Sequence, residues 1–339
     1  MDGRTKKWSF YLLAGATAAF LLWVSFRGVQ WPAFADAIAR CSWGFVLLSM
    51  LCGVVAFWLR GMRWRALIQP IDPSVPRMTC FNAINISYLA NLLLPRVGEI
   101  VRCGYVTAES SKDDEGQRKA SFDKVLGTVV LERGWDMMSM FLLLGALLAF
   151  KWKQFGDFFV VQMWEPLAAS VDFSLWVIAV PALVLCIAAI VLVFAYRDRV
   201  KVFGMISGFF AGMLKGFASC LKMERKWLFF VQTALIWFMY WCMSFFTMKA
   251  LASNPLVAPL GASDALFLMM AGSLSSLVPV PGGFGAFHFI VKAAITGIYG
   301  IPGAMALVFA TLSHESQAIT QAACGMFSFI WESIRRHKE

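Results

Sequence analysis

Apolar positions in this chain do not form the one-sided stripes of soluble helices. They come in uncharged runs, of which Trp8 to Phe26, Cys41 to Leu59, Phe173 to Tyr196, Trp227 to Met248 and Ser316 to Trp331 are the clearest. At about 1.5 Å per helical residue such runs read as crossings of the roughly 30 Å of bilayer hydrocarbon. A soluble helix of that length would carry a polar face, and these do not. The pattern predicts an all-α polytopic membrane protein. Its first run follows a basic start, as a signal peptide would. Phe10 to Phe26 is of full spanning length, however, and no small-x-small cleavage site follows, so it reads as a span.

Composition agrees: 60% of the 339 residues are hydrophobic and 15% charged, well outside globular usage. The eight cysteines are scattered singly without paired spacing, so they read as small core residues and neither a disulfide framework nor a zinc site is expected. A net charge of +10 raises nucleic acid as a partner until the cations are located. They gather at segment ends, where the positive-inside rule places them, and nucleic-acid binding drops out.

Those cations also orient the chain. Five basic groups fall on one side: Arg4, Lys6 and Lys7; Arg60, Arg63 and Arg65; Lys112, Arg118, Lys119 and Lys124; the stretch Arg197 to Lys226; and Arg335, Arg336 and Lys338. The opposite side holds Arg27, Arg40, Lys151, Lys153 and Lys249, with Lys292 near it. The rule puts the rich side, and with it both termini, in the cytoplasm of a bacterial inner membrane.

Parity then requires Thr79 to Tyr105 and Asp264 to Ile301 each to return to the side they left. The first carries Asn91-Leu-Leu-Leu-Pro95-Arg96-Val-Gly98-Glu99, the second Pro279-Val-Pro281-Gly282-Gly283-Phe-Gly285. Proline removes a backbone donor and glycine loosens a helix, so both sequences are expected to turn at membrane depth. Either full double crossings or re-entrant loops satisfy parity. Length leans to re-entry, since Ala265 to Val278 spans only roughly 21 Å as a helix. The expected layout is about eight membrane segments, six full spans and two re-entrant hairpins. It forms a single domain over 1–339 with pseudo-repeat halves 1–152 and 173–335. Each half runs helix, helix, hairpin, helix in opposite orientation, an inverted-repeat transporter architecture. Any eight-segment bundle can be divided this way, and that bland reading competes. Over 201–222, Lys201, Lys215 and Lys222 oppose an apolar face including Ile206, Phe210 and Phe217, as in an interfacial anchor helix.

Polar residues within such a chain need an explanation. Arg96, Glu99 and Arg102 are three apart and share a helical face just past Pro95. Arg96 and Arg102 are candidate receptors for an anionic group, with Asn91 beside them and Glu99 orienting one of them or carrying a proton. The structural alternative is that Glu99 pairs with Arg96 or Arg102 to lock the hairpin, or that Arg102 marks the cytoplasmic surface. Glu132, Arg133 and Asp136, at the cytoplasmic start of the fourth segment, either complete a polar cavity or anchor a helix end. Gly282, Gly283 and Gly285 could expose backbone donors as a phosphate nest, although a tight bend alone explains glycine. His288 is the one titratable side chain in the uncharged stretch Ala265 to Val291. His314, Glu315 and Gln317 punctuate the last helix. For each histidine, a satisfied buried ring is the structural alternative to a headgroup or proton role.

The runs Asn91-Leu-Leu-Leu-Pro-Arg-Val-Gly-Glu99-Ile-Val-Arg102, Val129-Val-Leu-Glu132-Arg133 with Asp136, and Pro279-Val-Pro-Gly-Gly-Phe-Gly285 together resemble the lysylphosphatidylglycerol synthase transmembrane-region family, also called flippase-like domain proteins. The resemblance covers nearly the whole chain. It implies a bacterial or archaeal membrane module associated with moving lipids between leaflets. Better understood members carry a cytosolic aminoacyl-transferase domain; none is visible here, so aminoacylation is not expected. Where many members have a carboxylate after the glycine bend this chain has His288, which points to a different headgroup.

The leading expectation is flipping of a phospholipid or lipid-linked anionic precursor through a polar intramembrane cavity. No GxxxxGK[ST] occurs, so energy would come from a gradient, a partner or the lipid's own concentration difference. A membrane-embedded lipid-modifying transferase using Glu99, Glu132 or His288 as base, and a scaffold for a separate lipid-modifying enzyme, are the alternatives. No cofactor is implied. Such an enzyme and a second copy of the chain are the candidate protein partners.

Overall fold

The computed structural model describes residues 3–156 and 225–338, with isolated positions 165, 181, 184, 185 and 195 between them. The expected span Phe173 to Tyr196 and the interfacial helix over 201–222 fall, those positions apart, outside the described residues. Numbered among the described residues, the helices are α1 Gly3–Phe26, α2 Trp31–Ala39, α3 Trp43–Ile68, α4 Arg77–Leu93, α5 Val97–Glu109, α6 Phe122–Phe150, α7 Lys226–Ala250, α8 Ala262–Leu274, α9 Ala286–Tyr299 and α10 Gly303–Lys338. No named strand occurs among the described residues, so the all-helical expectation holds.

Three helices, α3, α6 and α7, are long and apolar enough to cross a membrane. A fourth span results if Tyr11–Phe26 and Trp31–Ala39 count as one, although the two are bent by 90° at a break containing Gly28. The short helix α2, which has Pro32 in its first turn, has no counterpart in the hydrophobic runs. The last helix is 36 residues long and is not among the helices apolar enough to count as spans by length and composition. Its polar positions Ser313, His314, Ser316 and Thr320 are buried against other helices, α4 and α9 above all, so its surroundings there are protein.

α3 and α7 form the most extensive helix pair. Small and hydroxyl side chains let them approach: Ser49 donates to the Met243 carbonyl at 3.1 Å and lies 3.3 Å from Thr247 Oγ1. At the start of α3, the Ser42 N–H reaches the Ala250 carbonyl at 2.8 Å. Two apolar cores flank this axis. One gathers α7, α8, α9 and α10, with Phe155 stacked on Phe267 at 4.4 Å; the other gathers α3, α4, α5 and α6 around Trp64.

Both expected breaks are present, and local chemistry accounts for each. Leu94, before Pro95, is extended (φ −136°, ψ 127°), as the clash with a following proline ring demands. Arg96 then takes φ 63°, the one positive φ outside glycine among the described residues, and α5 begins at Val97. In the second break Val278 and Val280, each before a proline, are extended, and Gly282, Gly283 and Gly285 take φ of 56°, 81° and 79°. The helices on either side are short: 17 and 13 residues for α4 and α5, 13 and 14 for α8 and α9. Each is under the roughly 20 residues a helix needs to span.

The loops are tied down separately. The Asp72 carboxylate, buried between the α3–α4 and α5–α6 connections, accepts from Ser74 N and Oγ (3.0 and 2.6 Å), Ser110 Oγ (2.7 Å) and Ser111 N (2.8 Å). Burial pushes this carboxyl's pKa up, but the hydrogen bonds from Ser110, Ser74 and Ser111 outweigh burial and hold it well below the usual range. A depressed folded-state pKa gives stability that is complete above the unfolded value near 3.9 and is lost as pH falls through the folded pKa. Asp72→Ala is therefore expected to cost about 1–3 kcal/mol at pH 7, with the gap to wild type closing only in strong acid. Thermal unfolding in detergent across pH checks this; equal stability at pH 7 would contradict it.

Candidate functional site

Three helices aim charged side chains at one interior point, and a fourth adds a tyrosine. On α3, Arg60 and Arg63 sit one turn apart and point the same way; on α6, Glu132 and Asp136 do likewise; α5 supplies Arg102 and α7 supplies Tyr240. Glu132 is fully buried and binds three guanidinium groups: Arg60 Nη2 at 2.8 Å, Arg63 Nη2 at 3.1 Å and Arg102 Nη1 at 2.7 Å. Asp136 takes Arg60 Nη2 at 3.0 Å and pairs with Arg63 Nη2 at 2.7 Å. Arg60 also donates to Tyr240 Oη at 3.1 Å, and Arg63 to Thr233 Oγ1 at 3.2 Å. Arg102 lies over the Trp64 ring at 4.7 Å, and the Trp64 indole donates to Thr128 Oγ1.

An outer pair continues the network. Arg133 Nη2 meets Glu99 Oε1 at 2.6 Å, and Asn91 steadies the turn by accepting from Gly98 N–H at 2.8 Å and reaching Glu99 Oε2 at 3.4 Å. Gly98 is where α5 touches α4: a Cβ there would collide with the Ser87 carbonyl oxygen. Together Arg60, Arg63, Arg102 and Arg133 face Glu99, Glu132 and Asp136, four guanidinium groups to three carboxylates. Arg60 Nε, Arg63 Nε and both Nε and Nη2 of Arg102 are buried without a hydrogen-bond partner among the described residues. The cluster thus has an excess cation and spare donors, the complement of an anionic oxygen cluster.

Several sequence expectations change here. Arg60 and Arg63, placed by charge counting at the cytoplasmic surface, are interior, at 5% and 0% exposure. Glu132 and Asp136 do not mark the start of their helix: Glu132 lies ten residues past Phe122, about 15 Å along α6. Glu99 is locked neither by Arg96 nor by Arg102 but by Arg133, and Arg102 is buried, not a surface marker. Arg96 is exposed and makes no hydrogen bond or ion pair among the described residues, while Pro95 beside it is buried. Of the residues missed, Arg60 and Arg63 were signalled by their three-residue spacing on α3 beside the four-residue spacing of Glu132 and Asp136 on α6, while Tyr240 on α7 carried no such signal.

The second hairpin meets the first. A Cβ on Gly282 would lie 3.1 Å from Leu92, next to Asn91, so the two bends touch. Gly285 is pressed against α1, where a Cβ would lie 2.5 Å from the Ala18 carbonyl oxygen. Pro279 is exposed and Pro281 half-buried. Gly283 faces the α10 side chain His314, whose Nε2 would lie 3.4 Å from a Cβ at that glycine. His288, 1% exposed, sits in the first turn of α9 beside His314, ring centroids 5.1 Å apart.

A family profile described as Lysylphosphatidylglycerol synthase TM region matches residues 11–325. No curated protein and no solved structure matches the chain.

Proposed function

The chain belongs to the lysylphosphatidylglycerol synthase TM region family, and from that premise we propose that it moves a phospholipid or lipid-linked anionic precursor across the membrane. The observation that carries this reading is the interior guanidinium cluster. Charge at membrane depth is costly and is kept where it meets a partner or a pathway, and the cluster carries one more cation than anion with four donor nitrogens to spare. A headgroup phosphate would take those donors and the excess charge together. Exposed Arg96 stands outside the cluster and half-buried Arg133 at its outer edge, together a first contact.

An apolar route lies beside it. Among the described residues, a groove of about 510 Å³ between α6, α7 and α8 is lined by Met138, Leu142, Phe230, Trp237 and Leu266, and by Thr233, which holds Arg63. Acyl or prenyl chains would stay in such a groove and the bilayer while the headgroup crosses. The inverted repeat is part of the proposal, and reciprocal packing supports it. α6, closing the first half, packs on α8, the first helix of the second hairpin; α10, closing the second half, packs on α4, the first helix of the first hairpin. The short hairpin helices suit re-entry, and the charge distribution supports an inner membrane with both termini cytoplasmic.

A transferase using Glu99 or Glu132 as base fits less well. It would first have to free a carboxylate already held by one guanidinium or by three. Leaflet exchange of a headgroup-labelled anionic phospholipid in proteoliposomes tests the transport reading. Faster exchange than in empty vesicles is expected; identical rates across several anionic lipids would rule it out and favour the scaffold.

A further inference from the structure

We propose that His288, His314 and Glu315 form a binding site for a divalent transition metal ion, with zinc the ion their donor set suits best. Two acceptors compete for one imidazole proton. His314 Nε2 lies 3.0 Å from the Gly282 carbonyl oxygen, and its Nδ1 lies 3.2 Å from Glu315 Oε1. A carbonyl and an ionised carboxylate only accept, and a neutral imidazole has one N–H to give. With that proton donated to Gly282, the Nδ1 lone pair and Glu315 Oε1 face each other with nothing between them. His288 Nε2 approaches the same Oε1, at 3.4 Å. With the His288 proton on Nδ1, which is buried without a hydrogen-bond partner among the described residues, Nε2 offers a lone pair as well, and three electron-pair donors converge on a point that a cation would satisfy.

The spacing suits a metal. Tetrahedral zinc, with bonds of about 2.0–2.1 Å to nitrogen and oxygen, separates its ligand atoms by about 3.3 Å. The 3.2 and 3.4 Å separations bracket that distance, and one ligand atom from each of the three residues lies within 4.8 Å of the others. The Gly282 carbonyl supplies the outer partner that fixes the tautomer of a metal-bound histidine. Both imidazoles are buried and Glu315 is about a third exposed, so two histidines and a carboxylate leave a fourth position that water or an anionic oxygen can reach. A metal here would fasten the glycine bend and α9 to α10. The separate origins of the ligands, with His288 26 residues before His314, hide the site from any spacing motif.

An imidazolium at His314 would satisfy the same two acceptors, and the test separates it from a metal. The full chain, purified in detergent with any affinity tag removed and stripped by a chelator, is titrated with Co²⁺. One Co²⁺ per chain is expected, with the intense visible absorption of a four-coordinate ion, displaced by Zn²⁺. Glu315→Gln and His314→Asn are each expected to weaken Co²⁺ binding at least about tenfold. His337→Ala, at the one remaining histidine, is expected to leave it unchanged. The wild-type titration needs no variant to fold. Absence of bound Co²⁺ overturns the proposal, as does unaltered binding in Glu315→Gln.

Discussion

Glu132→Gln is expected to cost about 3–5 kcal/mol of stability and to abolish lipid exchange. Glutamine keeps the size of the side chain and one acceptor oxygen but removes the charge that three buried guanidinium groups share. Asp136 alone would then face Arg60 and Arg63, and Arg102 would have no anion at all. Removing one partner of a buried ion pair leaves uncompensated charge in a medium that solvates it poorly, the origin of the large penalty. Deleting the stranded cation as well should restore part of the loss. In Arg102→Met/Glu132→Gln the cluster returns to its original charge balance, so thermal unfolding in detergent is expected to show the double variant more stable than Glu132→Gln alone. A Glu132→Gln protein as stable as wild type would mean that the cluster is hydrated and open, contrary to the geometry.

Gly98→Ala is expected to disable the first hairpin, while Gly104→Ala on the same helix is neutral or mildly stabilising. At position 98 a methyl group would collide with the Ser87 carbonyl oxygen and lie 2.7 Å from Ser87 Oγ and 2.8 Å from Asn91 Cγ. The carbonyl belongs to the backbone of α4 and cannot rotate aside, so α5 must move away as a body. That breaks the Gly98 N–H bond to Asn91 and unseats Glu99 from Arg133. Overpacking of this kind costs about 1–3 kcal/mol or more, and the displacement reaches the charged cluster through Arg102. A Cβ at Gly104 meets nothing within 4 Å, so there only the better helix propensity of alanine acts, at up to about 1 kcal/mol. Unfolding temperatures and exchange rates of the two variants check the contrast; similar behaviour would contradict the close approach.

How much of this was legible beforehand depended on whether the cause was local. The two breaks were, because proline and the residue before it restrict the backbone wherever they occur, and Leu94, Val278 and Val280 are extended accordingly. The ion cluster was not. Counting cations at segment ends assigns Arg60 and Arg63 to the surface because the count does not see partners about 70 residues away on α6. Their matched helical spacing was the available clue. The last helix was legible on one face alone: Ile319, Met326, Phe327, Phe329, Ile330 and Trp331 are exposed as an uncharged run suggests, whereas the buried hydroxyls of its other face depend on contacts with α4 and α9. His288 stood out singly; its convergence with His314 and Glu315 is a property of the tertiary fold.

Selection of the crossing headgroup by the interior guanidinium groups can be measured as leaflet exchange of two lipids with identical acyl chains, one anionic and one zwitterionic, in vesicles bearing wild type or Arg102→Gln. Wild type is expected to move the anionic lipid at least about tenfold faster, a difference of about 1.4 kcal/mol, and Arg102→Gln to lose most of that preference. Equal rates for both headgroups in wild type, or an undiminished preference in Arg102→Gln, would contradict that selection.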